Sequence, residues 1–280
     1  MRLGAIAPYS AQSASTAETL SMAQAAEDAG LDSFWTFDIV GRNGWNPDPL
    51  ITLAAVAVST KRIQLGTCIL QVPLQNPTLL VRQVMTLQQY TGDRLVLGVG
   101  AGSTTTDFEA AGVAFDQRFR LLRENLAAFD SLYSEAESEQ APLPGWTGVT
   151  KPPVMIGSWA GGKWIERAAG QYDGWIASAA KTTKRTLQEG IERFRSLRGT
   201  RAMVTNVPVD LSAGESPFED ESPFTLNCSA PEAERRLAWL AELGYDDVVV
   251  TAPAWDVELF ETLAQMVRNC GRGQSENQKG

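Results

Sequence analysis

A chain of 280 residues with a formal net charge of −9 and no basic stripe is a poor match for nucleic acid or an anionic membrane, which both need clustered Lys and Arg. The sequence has no histidine, which removes His-ligated metals, Ser-His-Asp triads and Cys-His dyads, and Cys68, Cys228 and Cys270 are spaced for neither a disulfide framework nor a zinc site. A hydrophobic content of 44% supports a sizeable core, and no run approaches the roughly 18–20 apolar residues of a membrane span, so a soluble, cytoplasmic protein is expected.

The opening LGAIA run is too short for a signal-peptide core. It belongs to a predicted strand over 3–8. A helical pattern follows over 16–28, paced by Leu20, Ala23, Ala26 and Glu27 and stopped by Gly30. SFWTFD, 33–38, is the next strand. Asp48-Pro49 opens a helix to about 60, with proline in its first turn. A longer strand over 63–72 leads to a helix opened by Asn76-Pro77 and ending near 90. Residues 95–99 are almost continuously apolar, as parallel strands buried on both faces are. Helices over 119–133, 162–171, 183–197, 230–243 and 257–267 then alternate with strands over 154–156, 174–177, 202–209 and 248–251.

This is eight strand–helix units in about 270 residues. Such alternation predicts an α/β fold with a parallel sheet, and the number of units suits a single closed (β/α)8 barrel of TIM type over 1–270. A doubly wound open sheet is the competing architecture. Residues 271–280 read as a disordered tail.

The stretch RLVLGVGAGSTTTDFEAAG, 94–112, carries Gly98, Gly100 and Gly102 at the end of the fourth predicted strand. A dinucleotide loop needs G-x-G-x-x-G, and here the third position is Ser103. Two readings remain open. The glycines let a flat ligand lie close to the backbone at Gly100, or they relieve crowding inside a barrel.

Three segments run in order: AEDAGLDSFWTFD, DPLITLAAVAVSTKRIQLGTCILQVPLQNPTLLVRQVMTLQQYTGDRLVLGVGAG and PPVMIGSWAGGKWIERAAGQYDGWIAS. Together they resemble the luciferase-like superfamily of flavin- and F420-dependent oxidoreductases. The resemblance implies a TIM-type barrel that holds coenzyme F420, or alternatively FMN, at the C-terminal ends of its strands. It implies a bulge at Thr67, Cys68 and Ile69, often with a non-proline cis peptide, behind the central ring of the cofactor. It also implies a phosphate site made by a turn at Gly161 and Gly162, with a hydroxyl from Ser178 and a charge from Lys181. The physics suits that role, because a helix N-terminus offers unpaired amides to an anion. This set tilts the cofactor expectation toward F420.

The departures are equally informative. Family members commonly carry Asp-His where this chain has Asp38-Ile39, and F420-dependent dehydrogenases often carry Glu where this chain has Ser103. FMN members often have an arginine where this chain reads Leu74-Gln75-Asn76. Asp38, at a strand's C-terminal end, is the candidate acid or base, with capping or ion pairing as its alternative. Ser103 is the second catalytic candidate, and Ser103-Thr104-Thr105 otherwise caps a short helix through Glu109. Tyr9, Trp45 and Trp159 are candidate substrate contacts at the rim. Asp107 and Glu109 read as solvated or capping. Residues 212–229 read as either a lid or a disordered insert.

The predicted activity is hydride transfer between F420 and a small organic substrate. An FMN-dependent monooxygenase is one alternative. A non-catalytic cofactor-binding barrel that has lost its proton-transfer groups is the other. No nucleic-acid or membrane partner is expected. The resemblance implies a possible homodimer through the second and third helices, where Ala54-Ala55-Val56-Ala57 offers small residues that could equally pack on the barrel.

Overall fold

The computed structural model describes residues 1–7, 15–42, 46–135, 149–160 and 162–277. In chain order the elements begin β1 (Arg2–Ile6), α1 (Thr16–Asp28), β2 (Ser33–Thr36), α2 (Pro49–Ser59), β3 (Gln64–Thr67), β4 (Leu70–Gln71), α3 (Pro77–Thr91), β5 (Leu95–Gly100), α4 (Thr105–Ala111) and α5 (Arg118–Glu135). They continue β6 (Val154–Gly157), α6 (Trp164–Gln171), β7 (Gly174–Ser178), α7 (Lys184–Ser196), β8 (Ala202–Asp210), β9 (Leu226–Asn227), α8 (Ala230–Glu242), β10 (Asp247–Thr251) and α9 (Val257–Asn277).

Local chemistry explains the helix starts. The Asp48 side chain accepts from Ile51 N at 2.9 Å, and Asn76 Oδ1 accepts from Leu79 N at 3.2 Å, so α2 and α3 each begin with a carbonyl-type cap followed by proline. Thr183 and Thr186 form a reciprocal capping box at the start of α7. The predicted strand over 63–72 is interrupted: the Cys68–Ile69 peptide is cis and separates β3 from β4. At the C-terminus α9 continues to Asn277, into the segment whose composition reads as disordered; no proline interrupts that backbone. Among the described residues no helix is long and apolar enough to cross a membrane.

The chain divides into two compact units. The first comprises Met1–Ala7, Ser21–Trp35 and Met155–Gly280, and the second Pro8–Leu20 and Thr36–Val154. In the first, parallel pairings give the strand order β6-β7-β8-β10-β1-β2. The strands start from a buried charge cluster. Asp247 is 1% exposed and receives Arg201 Nε at 2.8 Å and Arg2 Nη2 at 3.0 Å. The register between β8 and β10 slips: Val248 pairs with Val204 and Val250 with Val207, so Thr205 and Asn206 together oppose Val249. This is a β-bulge.

In the second unit β5 is parallel to β3 and β4 and is buried along its whole length. Helix α5 turns Leu122, Leu126, Phe129 and Tyr133 inward, an apolar stripe at helical spacing. On α2, Val56 and Ala57 are buried, whereas Ile51 and Val58 are exposed.

Residues 212–229 are anchored in the first unit. Arg236, 1% exposed, donates from Nη1 to Thr225 O at 2.9 Å and from Nη2 to Ser216 O at 2.6 Å. The rings of Phe218 and Phe224 lie 5.4 and 5.8 Å from that of Trp239. The loop also meets α7, where Lys184 N donates to Ser222 O and Arg185 N to Asp220 O, each at 2.9 Å. The alternative of a disordered insert fails because the buried Phe224 ring, the half-buried Phe218 ring and a buried guanidinium hold the segment.

Candidate functional site

In the second unit the residues following β2, β3 and β5 form a buried polar cluster. Asp38, 8% exposed, accepts from Gln71 N through Oδ2 at 2.8 Å. The Gln71 side chain donates to Asp38 O at 2.9 Å and to Asp107 Oδ2 at 3.1 Å. Asp107 Oδ1 accepts from Gly41 N at 2.9 Å and from Val40 N at 3.3 Å, and Arg42 Nε lies 3.4 Å from Asp107 Oδ2. One amide therefore ties together the loop after β2, the end of β4 and the first turn of α4.

Burial pushes the Asp38 carboxyl up to about 6. The Gln71 amide pulls it back, Asp48 and Asp107 push it further up, and Arg42 lowers it. Among the described residues Asp38 Oδ1 accepts no hydrogen bond. A carboxyl group that titrates near neutrality with one oxygen unspent is equipped to take or give a proton.

The same cluster fixes Gly102. Its φ is +74°, and a Cβ there would stand 2.3 Å from Gln71 Oε1. Gln71 Oε1 itself is buried and has no partner among the described residues. Thr67 is buried and its hydroxyl donates to Gly98 O at 2.7 Å, so that side chain is spent on β5. Cys68 is buried, with its amide on Thr36 O at 2.9 Å, and Ile69 is half-buried. Gly100 ends β5 opposite Gln71. Ser103 is exposed and its side chain makes no hydrogen bond among the described residues.

Asp107 corrects the sequence reading. It is fully buried rather than solvated, because α4 places its first turn against the amides of Val40 and Gly41. Gln71 and Arg42 were also missed. The available signal for Gln71 was a lone amide inside the apolar run CILQVPL.

In the first unit the candidate anion-binding residues follow β6 and β7. Trp175 Nε1 donates to Ser158 O at 2.9 Å and secures the turn after β6. Gly162 N donates to Trp159 O at 2.7 Å, so that amide is engaged within the turn. A Cβ on Gly162 would stand 2.3 Å from Ser158 Oγ, which explains glycine there. Among the described residues no side chain caps α6, which leaves its first-turn amides without a side-chain acceptor there. Ser178 is half-buried, and its Oγ accepts from Asn206 Nδ2 at 3.1 Å. Thr182 Oγ1 donates to Ser178 O at 2.8 Å and closes the turn that carries Lys181. Lys181 is exposed and makes no ion pair among the described residues. Trp159 is 55% exposed. Tyr9, Trp45 and Gly161 lie outside the described residues.

Comparison with known proteins adds three findings. The family described as luciferase-like monooxygenase matches residues 1–217. The F420-dependent glucose-6-phosphate dehydrogenase of Kineococcus radiotolerans is 32% identical over 216 residues, covering 69% of this chain. The chain thereby spans 63% of that relative's length, less than two thirds of it. Two solved structures share the fold. An F420-dependent secondary alcohol dehydrogenase in complex with an F420-acetone adduct superposes with a TM-score of 0.76 at 16% identity, covering 95% of this chain and 98% of that one. The oxygenating constituent of 3,6-diketocamphane monooxygenase from Pseudomonas putida, in complex with FMN, gives 0.77 at 17% identity, covering 96% and 98%. The α/β fold is thus a closed eight-stranded parallel barrel of TIM type.

Proposed function

The chain belongs to the luciferase-like monooxygenase family, whose members are F420- or FMN-dependent oxidoreductases, and from that premise we propose that it uses F420 to transfer hydride to or from a small organic substrate. The observation that carries this reading is the end of β7, where the half-buried Ser178 hydroxyl and the exposed Lys181, without an ion pair among the described residues, sit on one short closed turn. That pair suits a phosphate: a hydroxyl donor and a point charge on a flexible stem. The start of α6, where no side-chain cap is seen among the described residues, adds a helix N-terminus of the kind that favours an anion. Kinship to a relative named as F420-dependent, at 32% identity, supports F420 over FMN.

When bound, F420 would supply the hydride chemistry through its deazaflavin ring. The chain's own residues would do the rest. Lys181 and Ser178 would hold the phosphate, and the Thr67–Ile69 segment would support the ring. Asp38 would take or give the proton that accompanies hydride transfer, through the oxygen that Gln71 leaves free. Gln71 and Asp107 would fix the loop that carries it.

The test is a fluorescence titration of the purified protein with oxidised F420 and, separately, with FMN. Micromolar or tighter binding of F420, with weaker binding of FMN, is expected. Binding of FMN alone would replace the proposal with oxygen chemistry. Binding of neither would leave a barrel without a cofactor.

A further inference from the structure

We propose that Asn206 is a positioning residue for the anion site at the end of β7: it fixes the Ser178 hydroxyl as a donor toward the cofactor phosphate. The inference rests on the F420 reading above and assigns a role to a residue outside the phosphate-binding set.

Three observations carry it. First, Asn206 has φ +56° inside a β-strand, a left-handed conformation that is uncommon for a residue other than glycine. Second, it sits in the bulge that opposes two residues of β8 to Val249. Bulges of this kind re-aim a side chain and gather near functional sites. Third, the re-aimed side chain makes one hydrogen bond among the described residues, from Nδ2 to Ser178 Oγ at 3.1 Å. A plain strand residue would keep the ladder regular and form no such bond. Local backbone strain retained for one side-chain contact points to a function of that contact.

The chemistry of the contact is specific. A serine hydroxyl has one hydrogen and two lone pairs. The amide of Asn206 occupies a lone pair, so the hydrogen turns away from it. Among the described residues that hydrogen has no acceptor. Thr205, paired with Ser178 across the strands, is 2% exposed and its hydroxyl is also without a partner. The end of β7 thus presents an unspent hydroxyl hydrogen, with a buried unpartnered hydroxyl beside it, in the unit that carries Lys181, which makes no ion pair among the described residues. An oxyanion at Ser178 satisfies that hydrogen, and a neutral ligand without acceptor oxygens does not.

The experiment compares oxidised F420 with the same deazaflavin chromophore lacking its phosphate-bearing tail, titrated by fluorescence. Wild type is set beside Asn206→Gly, which tolerates the left-handed backbone, and Asn206→Asp, which keeps the shape but replaces the amide donor with acceptors. For F420, Asn206→Gly should weaken binding about tenfold, the size of one lost hydrogen bond to a charged group. Asn206→Asp should weaken it about a hundredfold, because the carboxylate captures the Ser178 hydrogen and repels phosphate. Binding of the phosphate-free chromophore should be the same in all three proteins, and it also reports that each variant is folded. A preference for F420 over the phosphate-free form that survives both substitutions overturns the role of Asn206 alone. A wild type that binds the two chromophores equally overturns the phosphate site itself, and with it the role of Asn206.

Discussion

Replacing Asp38 with asparagine should make the protein more stable and less active, and the stability gain should depend on pH. Burial raises the Asp38 carboxyl from 3.8 to about 6. A raised folded-state value means that the protonated carboxyl is favoured by folding. Its contribution is complete below the unfolded value of 3.8 and is lost as pH rises through about 6. The rise from 3.8 to about 6, at about 1.4 kcal/mol for each tenfold change in acidity, makes the ionised group cost about 3 kcal/mol at pH 8. Asparagine carries no such cost, and its carbonyl oxygen can still accept from Gln71 N. Urea unfolding of the cofactor-free protein across pH 4–8 measures the difference. Asp38→Asn should exceed wild type by up to about 3 kcal/mol at pH 8, and the two should converge near pH 4. A variant less stable than wild type at pH 8, or a difference that ignores pH, would refute the reasoning. Turnover in the same variant should fall by about 10²–10⁴, the usual weight of one general acid or base.

Lys181→Ala and Ser178→Ala should each weaken F420 binding by about 1.5–3 kcal/mol, the worth of a hydrogen bond to a charged group, read by fluorescence titration. Unchanged affinity in both would misplace the phosphate. Gly102→Ala combines a backbone at φ +74° with a Cβ aimed at Gln71 Oε1, and should lower stability by about 1–3 kcal/mol in denaturant unfolding. Because Gln71 holds Asp38, turnover should fall with it, and an active Gly102→Ala protein would separate the two. Arg236→Met removes the anchor of the Ser216 and Thr225 carbonyls, and limited proteolysis should then cut within 212–229, where wild type resists.

The strand–helix alternation was legible in the sequence because both of its periods and its punctuation are local. Asp48-Pro49, Asn76-Pro77 and Thr183 start helices through contacts no more than three residues away, and the structure shows those contacts. The bulge near Thr67 to Ile69 came from resemblance alone, and nothing in its residue types distinguishes a cis Cys68–Ile69 bond from a plain strand. The polar cluster was half legible. Asp38 stood out as a carboxylate at a strand's C-terminal end, and the structure places it in the cluster. Gln71 and Asp107 were not, since their meaning depends on contacts 33 and 36 residues apart in the chain. A glutamine in an apolar strand and an aspartate in a first turn look ordinary until the third dimension joins them. Asn206 was hidden for the same reason, as a bulge is a property of two strands and not of one.

The absence of the family's histidine and glutamate at positions 39 and 103 invites the reading that this barrel has lost its chemistry. Asp38 argues against that. A buried carboxylate that costs about 3 kcal/mol when ionised is a large fraction of the 5–15 kcal/mol by which a domain is held folded. In a barrel kept only for its shape, asparagine or an apolar residue at position 38 would be neutral or better, and such replacements are readily reached. Here the costly group is kept and further organised. Gln71 holds one of its oxygens, Asp107 pins the loop behind it, and Gly102 is left without a side chain so that Gln71 can fit. Among the described residues the arrangement leaves the other oxygen unspent. On the proposed reading position 38 would carry the proton-transfer capacity that Ile39 and Ser103 lack, which is why the fate of Asp38→Asn bears on the activity as directly as on the fold.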